Sequence, residues 1–591
     1  MPEPRETPPE GGPTPEDARS PEPARRAVRR RRRRWPWVTL AVLVVAVLGL
    51  GAWLGTRVLT VKTELEAAQA SVRSVQAGSG DTETAIRSIA SHGAAAVAAT
   101  QDPVWRAFES VPFVGDNLRA VRLASESLDA LTGKLAVPAL DAVSTESSTP
   151  VLSRIIPVLQ SATPRITALS SEISAVQTSS SLVPQVRSGV DQVAGVLDTA
   201  TPILQLVPGL LGADGAQNYL LVAMNNAEVS GLGGSAASQT LMEAKDGKLT
   251  ILTQASSQDF EEKLLPNDVG LSDDMIEILG DVMFRRINAS MSRPDFPTAA
   301  TLLKSFWQRD IGKQQIDGVV AIDPIALSHI LEATGPIEVG GKKATSENIV
   351  RLLLSDAYTL PDVANTSDAF FKAVALAVFQ KVADGQFDLK KMVSAVQSGI
   401  SGGSILFWSA NADVQAQVAT MRVGGVLPAD NTDQTTIGVF FRDASNGSKI
   451  DYYMKSAVAA GASCTAAGTT DFTAKVTLHL DISQAAADKL PDYVKSGEWG
   501  STKFLTDVFV YGPPGTEAGK TTLNDGDIGR RAREDLGRPV VKVSVPLKPG
   551  ETRTITLHFN GTDGDYGPLE VRTTPMVSTT AVKLDDGACG R

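Results

Sequence analysis

Two stretches hold the side chains best suited to ligand chemistry. Asn225, Asn226, Ala227 and Glu228 follow the apolar run Tyr219–Met224 and lead into Gly231, Gly233 and Gly234. Amides, a carboxylate and backbone N–H groups freed by glycine suit a polar or anionic ligand. The glycine spacing is neither that of a dinucleotide loop nor that of a Walker loop, and a turn between strands accounts for it as well. Gly233 to Ala237 has the outline of a relaxed nucleophile elbow around Ser235, with Ala237 where glycine is expected. His92, His329, His479 and His558 lack a local acidic orienter, which disfavours a serine hydrolase, and their scatter disfavours a histidine metal site.

The second stretch holds Arg285, Arg286, Asn288 and Arg293. Guanidinium forks match phosphate and carboxylate, although ion pairs on a solvated loop would use the same residues. Asp317 and Asp323 flank a short apolar run. Together they suit a divalent cation, while capping of the helix that opens at Pro324 explains Asp323 on its own.

These residues need a scaffold. Residues 208–455 alternate strand-like runs (Tyr219–Met224, Leu249–Thr253, Asp317–Ile322) with helix-like ones (Ile325–Ala333, Ala369–Val382), which predicts a central α/β domain. In such sheets ligands gather beyond the C-terminal ends of the strands, where Asn225 and Glu228 fall. Asp295 is placed to cap a helix over Ala299–Trp307. Residues 57–207 carry narrow helical stripes such as Ile166, Leu169, Ile173 and Val176, which predict a stalk or bundle of antiparallel helices. Pro150, Pro157 and Pro164 are expected to break or kink it. Residues 456–591 turn to Thr/Val-rich alternation (Thr473–Leu480, Thr506–Tyr511, Val540–Val545, Thr552–Phe559) with Gly/Pro turns, predicting a β-sandwich.

The chain also carries its own address. Arg25, Arg26 and Arg29 to Arg34 precede an uncharged run, Trp35–Thr56. As a helix that run spans roughly 33 Å, enough to cross a hydrocarbon core. It exceeds a signal-peptide core, and no A-x-A cleavage site follows it. The arginine block predicts a cytoplasmic N-terminus, so the lipid bilayer is the first expected partner and the rest of the chain is expected outside the cytoplasm. Residues 1–24 are rich in Pro and Glu with almost no large apolar side chains, so the 1–34 tail with its Arg-rich end is expected to be disordered.

Net charge is −10, and the Arg-rich 1–34 segment makes the remainder more acidic still. That argues against nucleic acid as a partner. Cys464 and Cys589 nearly bracket the C-terminal segment and belong to no C-x-x-C pair, so a disulfide outside the cytoplasm is the expected use.

Several segments together carry a resemblance: Asn218–Glu228 with Gly233 and Gly234, Asn288–Ala300, Ile316–Ala326, Ala333–Val339, Phe407–Ser409 and Gly447–Tyr453. On these the chain is similar to the bacterial family called domain of unknown function 4012. The family pattern usually has an arginine soon after the residue matching Glu228, where Val229, Ser230 and Gly231 stand here. A weaker similarity, of topology and arginine content, is to the LytR-CpsA-Psr cell-wall ligases.

The expected architecture is multidomain α+β: one transmembrane helix, a helical stalk or bundle, a central α/β domain and a C-terminal β-sandwich. Two functions follow. The first is a tethered envelope protein with a binding or structural role toward cell-wall glycopolymer or other envelope proteins, needing no cofactor. The second, implied by the ligase similarity, is a phosphotransferase moving glycopolymers from a polyprenyl-pyrophosphate carrier. It would clamp pyrophosphate with Arg285, Arg286 and Arg293 and hold Mg²⁺ with Asp317 or Asp323.

Overall fold

A computed structural model describes residues 35–76, 81–145, 147–360, 363–465, 468–529, 532–561 and 566–587. The Arg-rich 1–34 tail and Cys589 lie outside them. The chain divides into two compact units, Met1–Leu59 and Thr60–Arg591.

One helix runs Trp35–Gln76. It continues past Thr56 because Arg57–Gln76 contains no Gly or Pro and is rich in good helix formers. Val44, Val45, Val47, Leu48 and Leu50 are exposed along it. A helix near the N-terminus is therefore long and apolar enough to cross a membrane.

The helix Pro184–Leu210 passes the same test of length and composition. Its stripe Val190, Ala194, Leu197, Thr201 and Leu204 is buried, however, at the 4-3-4-3 spacing of a packed helix face. It packs with Val151–Gln177, whose Ile166, Leu169, Ile173 and Val176 are buried in the same core. Pro157 and Pro164 lie inside that continuous helix and do not break it. Both are on its exposed side, where carbonyls that lose their N–H partners can turn to water.

The sheets begin after this bundle. The strands are β1 Gln217–Ser230, β2 Gly233–Lys245, β3 Lys248–Ser256, β4 Gly318–Ile322, β5 Ile337–Val339, β6 Lys342–Ala344, β7 Ile405–Ser409, β8 Thr435–Asp443 and β9 Met454–Cys464. They continue as β10 Thr470–Leu480, β11 Phe504–Tyr511, β12 Thr516–Leu523, β13 Gly526–Asp527, β14 Arg533–Asp535, β15 Arg538–Leu547, β16 Thr552–Gly561, β17 Leu569–Thr573 and β18 Ala581–Gly587.

The first sheet has the order β3-β2-β1-β4-β7, with β1 parallel to β4 and the other pairs antiparallel. Leu220, Val222 and Met224, alternating along β1, pack with the helix Phe296–Asp310 through Leu302, Leu303, Phe306 and Trp307. Asp295 caps that helix by accepting the Thr298 N–H at 3.1 Å.

Two further sheets follow, β14-β15-β11-β8-β17 and β13-β12-β16-β10-β9-β18. Their inward side chains, among them Phe441, Val508, Val543, Phe472, Val476 and Leu557, form one core. The other face of β8, β11 and β15 joins the first sheet's core through Phe440, Phe509, Tyr511 and Val540. Burial on both faces explains why β8 and β11 are near-continuous apolar runs. It also carries β8, which falls in the 208–455 segment, into a sheet with β11 and β17.

Candidate functional site

β1 and β2 form a hairpin with irregular register. Asn225 pairs with Ser235 and Val229 with the adjacent Gly234, so Asn226, Ala227 and Glu228 are extra residues bulged from β1. A Cβ on Gly234 would lie 2.3 Å from the Asn225 carbonyl carbon, so the bulge requires glycine there. Asn225 braces the bulge internally, its Oδ1 accepting the Ala227 N–H at 3.1 Å. Gly233 and Gly234 are spent in the ladder as turn-flanking residues, not as an anion cradle. Ser235 lies within β2, not on an elbow, and donates to Glu228 Oε2 at 2.7 Å.

The bulge sends Asn226 and Glu228 to different partners. Asn226 meets Asp323 where the parallel strands β1 and β4 end, its Nδ2 donating to Asp323 Oδ2 at 3.0 Å. That is where an α/β sheet presents a ligand site. Here protein fills it. Asn226 also donates to the Pro575 carbonyl at 3.2 Å, and the Thr574 hydroxyl donates to the Gly231 carbonyl at 2.9 Å.

Asp323 is saturated. Its Oδ1 accepts the Ile325 and Ala326 N–H groups at 2.9 Å each as the helix N-cap, and its Oδ2 accepts Asn226 Nδ2 and the Ser404 hydroxyl. Four donors occupy the roughly four lone-pair positions of a carboxylate. Burial pushes this carboxyl above its ordinary range, opposed by those same donors. Asp317 sits at the other end of β4, accepting from the Asn218 N–H and Gln315 Nε2. A strand of that length separates the two carboxylates by roughly 20 Å, so Asp317 and Asp323 do not fit a shared Mg²⁺. Among the described residues no group of three or more His, Cys, Asp or Glu side chains is arranged to hold a metal ion.

Glu228 enters a buried charge cluster that sequence reasoning missed. Its Oε1 lies 2.5 Å from Lys449 Nζ. Lys449 is 5% exposed and sits 3.9 Å from the ring centroid of Tyr493 and 5.5 Å from that of Tyr358. Burial works against its charge, but Glu228, Tyr493 and Asp443 outweigh burial and hold its pKa above the ordinary value. Asp451 accepts the Val229 N–H at 2.9 Å. Burial, reinforced by Asp443, pushes its carboxyl well above the usual range. Asp443 is pushed up to about 6, chiefly by burial, although Ser445 stabilises its charged form. The segment Gly447–Tyr453 that supplies Lys449 and Asp451 carried part of the resemblance, and that was its only sequence signal.

The arginines do not converge. Arg285 pairs with Asp281 at 2.7 Å and Arg286 with Glu262 at 2.9 Å, all four side chains well exposed. Asn288 lies in the short turn Ile287–Ala289. Arg293 turns inward to Asp535, Nη2 to Oδ1 at 2.6 Å and Nε to Oδ2 at 3.2 Å, and donates to Thr298 Oγ1 at 2.6 Å. Tyr511 donates to the same carboxylate at 2.9 Å. A cleft of about 600 Å³ opens beside this bridge, lined by Gly270–Met275 and Glu534–Gly537.

Three polar bridges thus tie the mixed sheet and its flanking loop to residues in or beside the two C-terminal sheets: Asn226–Pro575, Glu228–Lys449 and Arg293–Asp535. They define a protein whose motif residues lock one layer of the fold to the next. Residues 214–358 match the family model described as "Protein of unknown function (DUF4012)". The matched segment includes Asn226, Glu228, Arg293 and Asp323, whereas Lys449 and Asp535 lie beyond it. No curated protein matches the chain.

Proposed function

We propose that the chain is a single-pass, membrane-anchored envelope protein that holds an interlocked extracytoplasmic body outside the cell, where it binds or braces wall glycopolymer or other envelope proteins. The observation that carries this reading is the use of the motif residues: Asn226, Glu228 and Arg293 are consumed by contacts between layers of the fold, and Asp323 by Asn226, Ser404 and its own helix. The exposed apolar flank of the helix Trp35–Gln76 supplies the anchor, and the arginines before it set its direction. The two C-terminal sheets, sharing one core, are read as a β-sandwich presenting the contact surface. The phosphotransferase alternative needs Arg285, Arg286 and Arg293 on one ligand, and the engagement of Arg293 by Asp535 weighs against it.

The test is fractionation with a C-terminal epitope. The full chain is expected in the carbonate-resistant membrane pellet, with the epitope removed by protease in intact spheroplasts. Recovery in the soluble fraction, or an epitope protected until lysis, overturns the topology.

The same reading places Cys464 in an oxidising compartment. β18 runs parallel to β9 with Gly587 opposite Ser463, which brings the chain alongside Cys464 two residues before Cys589. Denatured full-length protein is expected to show no free thiol before reduction and both cysteines after it. Equal thiol titres with and without reductant refute the pairing.

A further inference from the structure

One cluster of side chains takes no part in the bridges above. Arg572 and Glu570 share one face of β17, two residues apart. Arg572 Nε donates to Glu570 Oε2 at 3.0 Å and its Nη1 to the Val426 carbonyl at 2.8 Å. Arg422, in the turn Arg422–Gly424, reaches the same carboxylate from the other side, Nη1 to Oε1 at 3.3 Å, and its Nη2 donates to the Ser401 carbonyl at 3.2 Å. Behind them Arg538 is fully buried and held by the carbonyls of Thr436, Gly512 and Pro428. Two guanidiniums therefore pair with one carboxylate, and a third, Arg538, is held by carbonyls alone within electrostatic reach of Arg572 and Glu570. The three cations and one carboxylate leave a surplus of two positive charges in a partly buried place. Such a surplus is costly unless a counter-charge arrives.

The protonation behaviour agrees. Burial, with Arg572 adding repulsion, lowers the Arg422 pKa and brings Arg538 down to about 10, and Glu570 only partly offsets this. Arg422 and Arg572 each engage two of the five N–H donors a guanidinium offers, so donors remain. Both line a cleft of about 60 Å³ beside Gly402, Gly403, Gly425 and Leu427. Its glycines leave room for a ligand to come close to the backbone.

We propose that this cleft is an oxyanion site whose ligand is a phosphate group, bound by Arg422 and Arg572. A dianion matches the surplus of two charges, whereas a carboxylate would meet half of it. Planar guanidinium forks favour phosphate oxygens. The cleft admits a group of a few heavy atoms, so the ligand is free phosphate or the terminal phosphate of a larger molecule. The inference does not depend on the envelope reading.

The experiment uses full-length protein in neutral detergent, with binding followed by calorimetry and thermal shift. Sodium phosphate and phenyl phosphate are each compared with sodium chloride at matched ionic strength. Saturable binding of both is expected; tighter phenyl phosphate binding identifies a phosphomonoester end group, and equal binding identifies free phosphate. R422Q should weaken binding on the order of tenfold, as loss of a charge-assisted bond does. E570Q, which removes the competing carboxylate, should strengthen it several-fold. Phosphate protection no greater than that of chloride, or wild-type affinity in R422Q, overturns the site. Should R422Q fail to fold, unchanged affinity in E570Q overturns it independently.

Discussion

Replacing Lys449 by methionine is expected to destabilise the folded body by about 3–5 kcal/mol at neutral pH, the usual cost of removing one partner from a buried ion pair. The ammonium lies 2.5 Å from Glu228 and over the Tyr493 ring, and almost no water reaches it. Asp451 is buried close by and Asp443 is half-buried beside it. Methionine fills much of the same volume, so the loss reports charge more than cavity. The pH dependence gives the mechanism away. Asp443 titrates at about 6 in the folded state and near 3.8 when unfolded, and Asp451 is also raised. A raised carboxyl means the folded state holds more protons, so stability rises as pH falls from about 6 toward 4, by at most about 1.4 kcal/mol per pH unit for each proton taken up. Without Lys449 these acids should stay protonated to higher pH, and the K449M deficit should shrink between pH 8 and pH 5. Urea denaturation at both pH values measures it. A deficit below 1 kcal/mol, or one equal at both pH values, sinks the assignment. E228Q/K449M should recover part of the loss, since it removes both charges together.

How much of this was legible beforehand divides along sequence distance. Local signals held: Asp323 and Asp295 cap the helices they precede, and the Ile166–Val176 stripe is core. Their physics lies within a few residues, where period and capping chemistry operate. Of the three prolines, Pro150 stands at the start of a helix while Pro157 and Pro164 lie inside it without ending it. Periodicity does not say which side of a helix faces water. The candidate site was half legible. Asn226, Glu228 and Arg293 were picked out by type, but their partners lie far along the chain, Asp535 being 242 positions from Arg293 and Pro575 349 from Asn226. No local pattern encodes such a pairing. The bulge that aims Asn226 and Glu228 apart is also a register event, set by where Gly234 lets two backbones approach. Asp317 and Asp323 looked paired in sequence because a strand separates residues along its length, a distance that residue numbers understate. The 208–455 boundary enclosed β8 without identifying it as a strand, because a doubly buried strand lacks the alternation by which a half-buried one is recognised.

Arg293 is the position where the ligand-binding and interlocking readings part most sharply. R293A is expected to cost about 3–5 kcal/mol, because it leaves the Asp535 carboxylate, with a 4% exposed side chain, without its fork. Burial opposes the charge on Arg293, yet Asp535 and Asp295 outweigh it and raise the Arg293 pKa, so the guanidinium stays charged in the folded state. The fully buried Tyr511 hydroxyl donates to the same carboxylate and loses a charged acceptor if Asp535 is removed instead. R293A/D535A should therefore cost less than the two single changes added together, with a coupling of about 1–3 kcal/mol. R293K should not rescue, since an ammonium cannot make two parallel bonds to one carboxylate. Denaturation of the parent, R293A, D535A, R293A/D535A and R293K, measured on the same full-length chain, decides the matter. A ligand clamp would behave in the opposite way: a guanidinium held ready for an anion is repelled by its neighbours, and its loss leaves stability level or improved. Additive single costs, or an R293A protein as stable as the parent, would return Arg293 to the list of ligand-binding candidates and remove one of the three bridges on which the interlocked body rests.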